Sequence, residues 1–164
     1  MQQYFIDKDK SIWILLAQHI KDQQLFNKEI GLNENCIYAL VNPEYLVSLQ
    51  ACLIAIYRML KKKEYKLSSQ FQRDLHYLLT PESQRNDVRF GITNILTQRM
   101  LCIFLTPVSE EQLKSFELDE LTNLYQYCNI PQMIKYYKIS DQELKVDKDV
   151  RGAVYNSIAL KKFK

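Results

Sequence analysis

The sequence predicts an all-α fold, one compact helical domain spanning residues 1–164, and three observations predict it. Only three glycines, Gly31, Gly91 and Gly152, interrupt the chain. Three of its four prolines stand where a helix would begin, in Asn42-Pro43-Glu44, Thr80-Pro81-Glu82 and Thr106-Pro107. In each, a cap-forming Asn or Thr precedes a ring whose missing N–H is harmless in a first turn, and two of the three add an acid at the positive end of the helix dipole. Apolar residues also recur at helical spacing, which makes a bundle of about six to eight helices the expected architecture.

Between Ser11 and Phe26, Ile12, Leu15, Leu16 and Ile20 fall at i, i+3, i+4 and i+8, the stripe of an amphipathic helix. A turn at Gly31 leads to a short helix near Asn33–Val41. Asn42-Pro43 then opens the longest apolar helix, Pro43–Lys63, whose Leu46, Val47, Leu49, Leu53, Ile54, Ile56, Met59 and Leu60 leave no wide polar face. A helix apolar all round belongs at the centre of a bundle. Ser69 and Gln72 have the spacing of a capping box before Phe71, Leu75, Leu78 and Leu79. Thr80-Pro81 starts a long segment carrying Val88, Ile92, Ile95 and Leu96 and ending in the apolar run Met100–Leu105, with Gly91 at a break or a close contact. Ser109 with Gln112 and Ser140 with Glu143 repeat the box, and Leu121, Leu124, Tyr125 and Cys128 continue a helical stripe. The last helix, roughly Lys148–Lys162, turns Val150, Ala153, Val154 and Ile158 inward and carries Lys161, Lys162 and Lys164 at its negative end.

Composition agrees with a globular chain. Hydrophobic residues make up 47% and charged residues 25%, so no disordered tail or linker is expected. Met1-Gln2-Gln3-Tyr4-Phe5-Ile6-Asp7 lacks the basic start and apolar run of a secretory signal, and the expected compartment is the cytoplasm. Cys36, Cys52, Cys102 and Cys128 are scattered without metal or redox spacing and read as reduced core residues. The run Tyr45–Leu60 would span roughly 24 Å as a helix, short of the ~30 Å hydrocarbon layer, so no membrane insertion is expected.

Chemistry-bearing motifs are lacking. His76 has no carboxylate or cysteine at i±3 or i±4, His19 has only Asp22 at i+3, and the three isolated glycines build no phosphate-cradling loop. Arg85-Asn86-Asp87-Val88-Arg89 runs into Phe90, an aromatic ring where helical ribonucleases of the HEPN type carry the histidine that moves the proton. Adjacent Asp119 and Glu120 would diverge on a helix and make no acid–base pair. No catalytic residue, cofactor site or metal site is therefore assigned.

Uneven charge and abundant tyrosine remain. Arg58, Lys61, Lys62, Lys63, Lys66 and Arg73 are opposed within their stretch only by Glu64, whereas Glu110, Glu111, Glu117, Asp119 and Glu120 are relieved only by Lys114. Helix-end electrostatics accounts for both clusters equally well. Tyr125, Tyr127, Tyr136 and Tyr137, with Met133 nearby, gather around Asn129–Pro131, and tyrosine is a frequent interface anchor. The expected function is that of a non-catalytic adaptor, regulator or assembly subunit that binds another protein. Tyr125, Tyr127, Met133, Tyr136 and Tyr137 would supply contact area while the basic patch steers a partner with an acidic surface. Self-association is compatible with such a surface. The alternative is a nucleic-acid-binding regulator that uses the Arg58–Arg73 basic patch.

Overall fold

The computed structural model describes residues 1–7, 10–18, 36–62, 70–81, 99–114, 117–119, 121–147 and 149–161. It overturns the all-α expectation, because an antiparallel sheet lies at the heart of the chain. Strands β1 (Gln2–Asp7), β2 (Lys10–Gln18), β4 (Arg99–Phe104) and β3 (Tyr38–Val41) lie side by side in the order β1-β2-β4-β3. The two-residue β5 (Leu118–Asp119) pairs with Leu16 and Ala17 of β2, beyond the stretch of that strand that β1 covers. The stretch Ser11–Gln18 of the expected first amphipathic helix is thus strand β2, its remainder lying outside the described residues, the end of the short helix near Asn33–Val41 is β3, and the apolar run from Met100 is β4.

The reason for the misreading is burial on both faces. Ile12, Ile14 and Leu16 of β2, Leu101 and Ile103 of β4, and Ala39 and Val41 of β3 join the larger core on one face. Leu15 and Ala17, Met100, Cys102 and Phe104, and Leu40 pack on the other with Val108 and Leu113. Register aligns them into rows, Ile14–Ile103–Ala39 on the first face and Leu15–Cys102–Leu40 on the second. A strand apolar on both sides loses the alternation that marks a half-buried strand, and a short apolar run fits helix and strand templates alike.

The described helices number six: α1 (Leu49–Lys61), α2 (Phe71–Leu79), α3 (Glu110–Leu113), α4 (Ile130–Tyr137), α5 (Asp141–Asp147) and α6 (Val150–Leu160). The helix expected over Pro43–Lys63 starts later. Asn42 accepts the Glu44 N–H but opens only a 3₁₀ turn, Pro43–Tyr45, after which Leu46 is extended and Ser48 caps α1 by accepting from the Ala51 N–H. Its buried side chains, Ala51, Cys52, Ala55, Ile56, Met59 and Leu60, pack it between α2 and α6. The Ser109 box forms as the spacing predicts, and so do the reciprocal Ser140–Glu143 bonds. Ser69 and the segment containing Gly91 and Arg85–Phe90 lie outside the described residues, as do His19 and Gly31. Thr80 closes α2, its N–H and hydroxyl both donating to the His76 carbonyl.

Side chains from α2 protect the exposed edge of the sheet. The Leu40 N–H of β3 donates to Gln72 Oε1 at 3.0 Å, and His76 Nε2 lies 2.7 Å from the Leu40 carbonyl oxygen. Bare strand edges template unwanted pairing, and these two groups occupy one residue's donor and acceptor. Burial pushes the His76 pKa down against the smaller opposing effect of the Leu40 carbonyl, so the ring is neutral and Nε2–H donates. His76 therefore has the hydrogen-bonded structural role usual for a histidine on an apolar face.

Candidate partner-binding surface

The basic patch does not present its charges together. Arg58, in the last turn of α1, donates from its guanidinium to the carbonyls of Ile158 and Lys161 at the end of α6. Lys161, only 3% exposed, in turn donates to the carbonyls of Tyr77 and Thr80 at the end of α2, with its ammonium 4.0 Å from the Tyr77 ring centroid. Lys10 reaches the Leu60 carbonyl at the end of α1. Three helix C-termini, each the negative end of a dipole, are thus held by three cations from neighbouring elements. Of the remaining patch residues, Lys61 is exposed with its ammonium 5.4 Å from the Tyr57 ring centroid, Lys62 is half-buried, and exposed Arg73 bonds Gln70 and lies 3.7 Å from Asp74. Lys63 and Lys66 fall outside the described residues. An inward Arg58 gives nucleic-acid readout through this patch no support. Glu110 and Glu111 occupy the first turn of α3, where anions meet the helix dipole.

The aromatic patch is also mostly interior. Met133 is fully buried, Tyr136 is 2% exposed, and the Tyr137 hydroxyl donates to the Leu79 carbonyl. The rings of Tyr136 and Tyr137 meet edge-on at 5.5 Å, and burial drives the Tyr137 pKa well up. These three residues tie α4 to the core, with only half-buried Tyr137 among them keeping part of its surface outside it. Tyr127 is half-buried under the Arg99 guanidinium, while Tyr125 is 44% exposed near Arg151. Tyr125 is the one member of the expected aromatic patch that stands on the surface.

A different apolar surface lies at the end of the chain. Asn129 caps α4 by accepting the Gln132 N–H, and Lys138 ends it in the left-handed region at φ 55°. The chain then turns directly into α5. On α6, buried Val150, Val154 and Ile158 repeat every four residues, and Ala153, Asn156, Ser157 and Leu160 form the adjoining stripe, running from half-buried Ala153 and Ser157 to exposed Asn156 and Leu160. Gln142, Glu143 and Val146 of α5 face that stripe across a cleft of about 500 Å³, with Tyr137, Ile139 and Ser140 at its closed side. Val146 and Leu160 stand on the rims, 83% and 84% exposed. Ala153 and Ser157 are small, which gives the cleft its depth. The sequence does carry a signal for this surface: Val146 and Leu160 are apolar residues that fall off the buried stripes of their helices.

Among the described residues, Glu143 is the one charged side chain lining this cleft. Its Oε2 accepts from the Ser140 N–H at 2.8 Å and from the Ser140 hydroxyl at 2.7 Å, and these bonds hold its carboxyl below the usual carboxylate range. Among the described residues no group of three His, Cys, Asp or Glu side chains gathers as a metal site, and no helix is long and apolar enough to cross a membrane. All four cysteines are free thiols, with Cys52 and Cys102 buried and burial pushing Cys128 up to about 12.

The family model described as kinase binding protein CGI-121 matches residues 15–162. The chain belongs to that family. No curated protein matches it. The match runs from Leu15 within β2 past the end of α6, so β3, β4, Arg58, Lys161 and the α5–α6 cleft lie within the family's span, whereas β1 and Lys10 precede it. Membership makes this a protein-binding chain and agrees with the adaptor or subunit role expected from sequence, whereas nothing in it favours nucleic-acid recognition.

Proposed function

We propose that this chain is the non-catalytic subunit of an assembly with a protein kinase, and that it holds the kinase at the α5–α6 cleft. Family membership supports the kinase as partner. The observation that carries the choice of surface is the pair of large aliphatic side chains, Val146 and Leu160, left exposed on either rim of a concave site. Apolar walls around small floor residues favour insertion of a partner side chain, and fully burying a Leu or Val contributes about 1.5–3 kcal/mol each. Rigidity adds to this, because Arg58 and the buried Lys161 anchor the last turn of α6 on both sides of Leu160. Little ordering remains to be done on binding.

The test is affinity capture on the tagged full chain from native extract, followed by reconstitution with the purified kinase so recovered. A kinase that binds the wild-type chain one-to-one, and loses binding to the Val146→Asp and Leu160→Asp variants, is the expected result. Capture of proteins that include no kinase refutes the reading.

A further inference from the structure

Resting on the kinase-binding reading, we infer that the segment entering the α5–α6 cleft presents a large apolar side chain with a lysine or arginine beside it. The apolar half of this recognition is the Val146 and Leu160 rims around Ala153 and Ser157. The basic half follows from Glu143. Its carboxylate is fixed in position by Ser140, whose N–H and hydroxyl both donate to Oε2 while the Glu143 N–H donates back to Ser140 Oγ at 3.3 Å. A charge held by two local bonds is already ordered, so a cation arriving beside it meets an acceptor that loses little freedom. Among the described residues the remaining polar lining is uncharged: Gln142, Asn156 and the Ser140 and Ser157 hydroxyls. An acidic segment would bring its charge against Glu143 with no cation among the described lining residues to offset it, and a wholly apolar one would desolvate that carboxylate without a counter-charge. The occupant's charge is therefore opposite to the one expected from the basic patch.

Association kinetics with the purified kinase separate the two halves. Glu143→Gln is the informative variant, because glutamine at the same position keeps the capping box and removes only the charge. It is expected to slow association about two- to fivefold in low salt, with the difference vanishing near 0.5 M NaCl, where screening acts within a few ångströms. Leu160→Asp is expected to weaken binding about 10- to 100-fold at every salt concentration. Both residues are exposed, so thermal unfolding of each variant should match the wild-type chain. If Leu160→Asp weakens binding while Glu143→Gln associates as fast as wild type or faster in low salt, the basic occupant is refuted and the docking site stands. If Val146→Asp and Leu160→Asp both bind like wild type, the cleft is not the docking site and this inference falls, with kinase binding itself intact. A wild-type chain that binds no kinase removes the functional reading and the inference together.

Discussion

Arg58 separates a structural from a docking role for the residue that heads the basic cluster. In Arg58→Met the aliphatic stem persists, and the bonds to the Ile158 and Lys161 carbonyls are lost. Hydrogen bonds to charged groups contribute about 1.5–3 kcal/mol each, and because both bonds come from one guanidinium they are not independent, so the pair together should contribute about 2–3 kcal/mol. For a domain of this length each kcal/mol moves Tm by about 2–4 °C, which predicts a fall of about 5–10 °C. Urea unfolding followed by circular dichroism should show a lower midpoint with an unchanged slope, since the same surface is exposed on unfolding. Lys61→Met, at an exposed neighbour, should stay within about 0.5 kcal/mol of the wild-type chain. If Arg58→Met unfolds with the wild-type chain yet abolishes kinase binding, Arg58 faces the partner and the helix-end argument is wrong.

Two further outcomes follow from buried groups. Burial lowers the His76 pKa below the unfolded value near 6.5, so acid protonates the unfolded chain first. The contribution of this group to stability is unchanged above that value and declines as pH falls through it. His76→Gln, which retains a donor for Leu40, should flatten the wild-type loss of stability between about pH 7 and the folded-state pKa in urea titrations at stepped pH; an unchanged slope would show that the ring does not titrate there. Met133→Ala removes a fully buried side chain and should destabilise the fold by about 2–5 kcal/mol, read by the same denaturation; near-wild-type stability would return Met133 to the surface.

Features governed by a few neighbouring residues were legible. Ser109 with Gln112 and Ser140 with Glu143 form their caps because every group involved lies within one turn. The stripe Val150, Val154 and Ile158 likewise places α6 correctly. Gln72 shows the limit of such reasoning. Its Oε1 accepts from the Leu40 N–H, thirty-two positions away, a contact that no local spacing announces. Arg58 repeats the lesson over a hundred positions, from α1 to the end of α6. The α5–α6 cleft is hard to read from sequence because tyrosine and lysine cluster densely elsewhere, whereas Val146 and Leu160 are two isolated aliphatics out of phase with the buried stripes of their helices.

Local order along the chain sufficed to determine the Ser109 and Ser140 caps, the core-facing stripe of α6 and the predominantly apolar character of the central segments. Tertiary structure alone decided that Lys10–Gln18 and Arg99–Phe104 are strands, that Met133 and Tyr136 face inward, and that Val146 and Leu160 do not. The physical reason is that a cap satisfies its hydrogen bonds within four residues, whereas strand pairing and the choice of buried face depend on which distant surface covers a side chain.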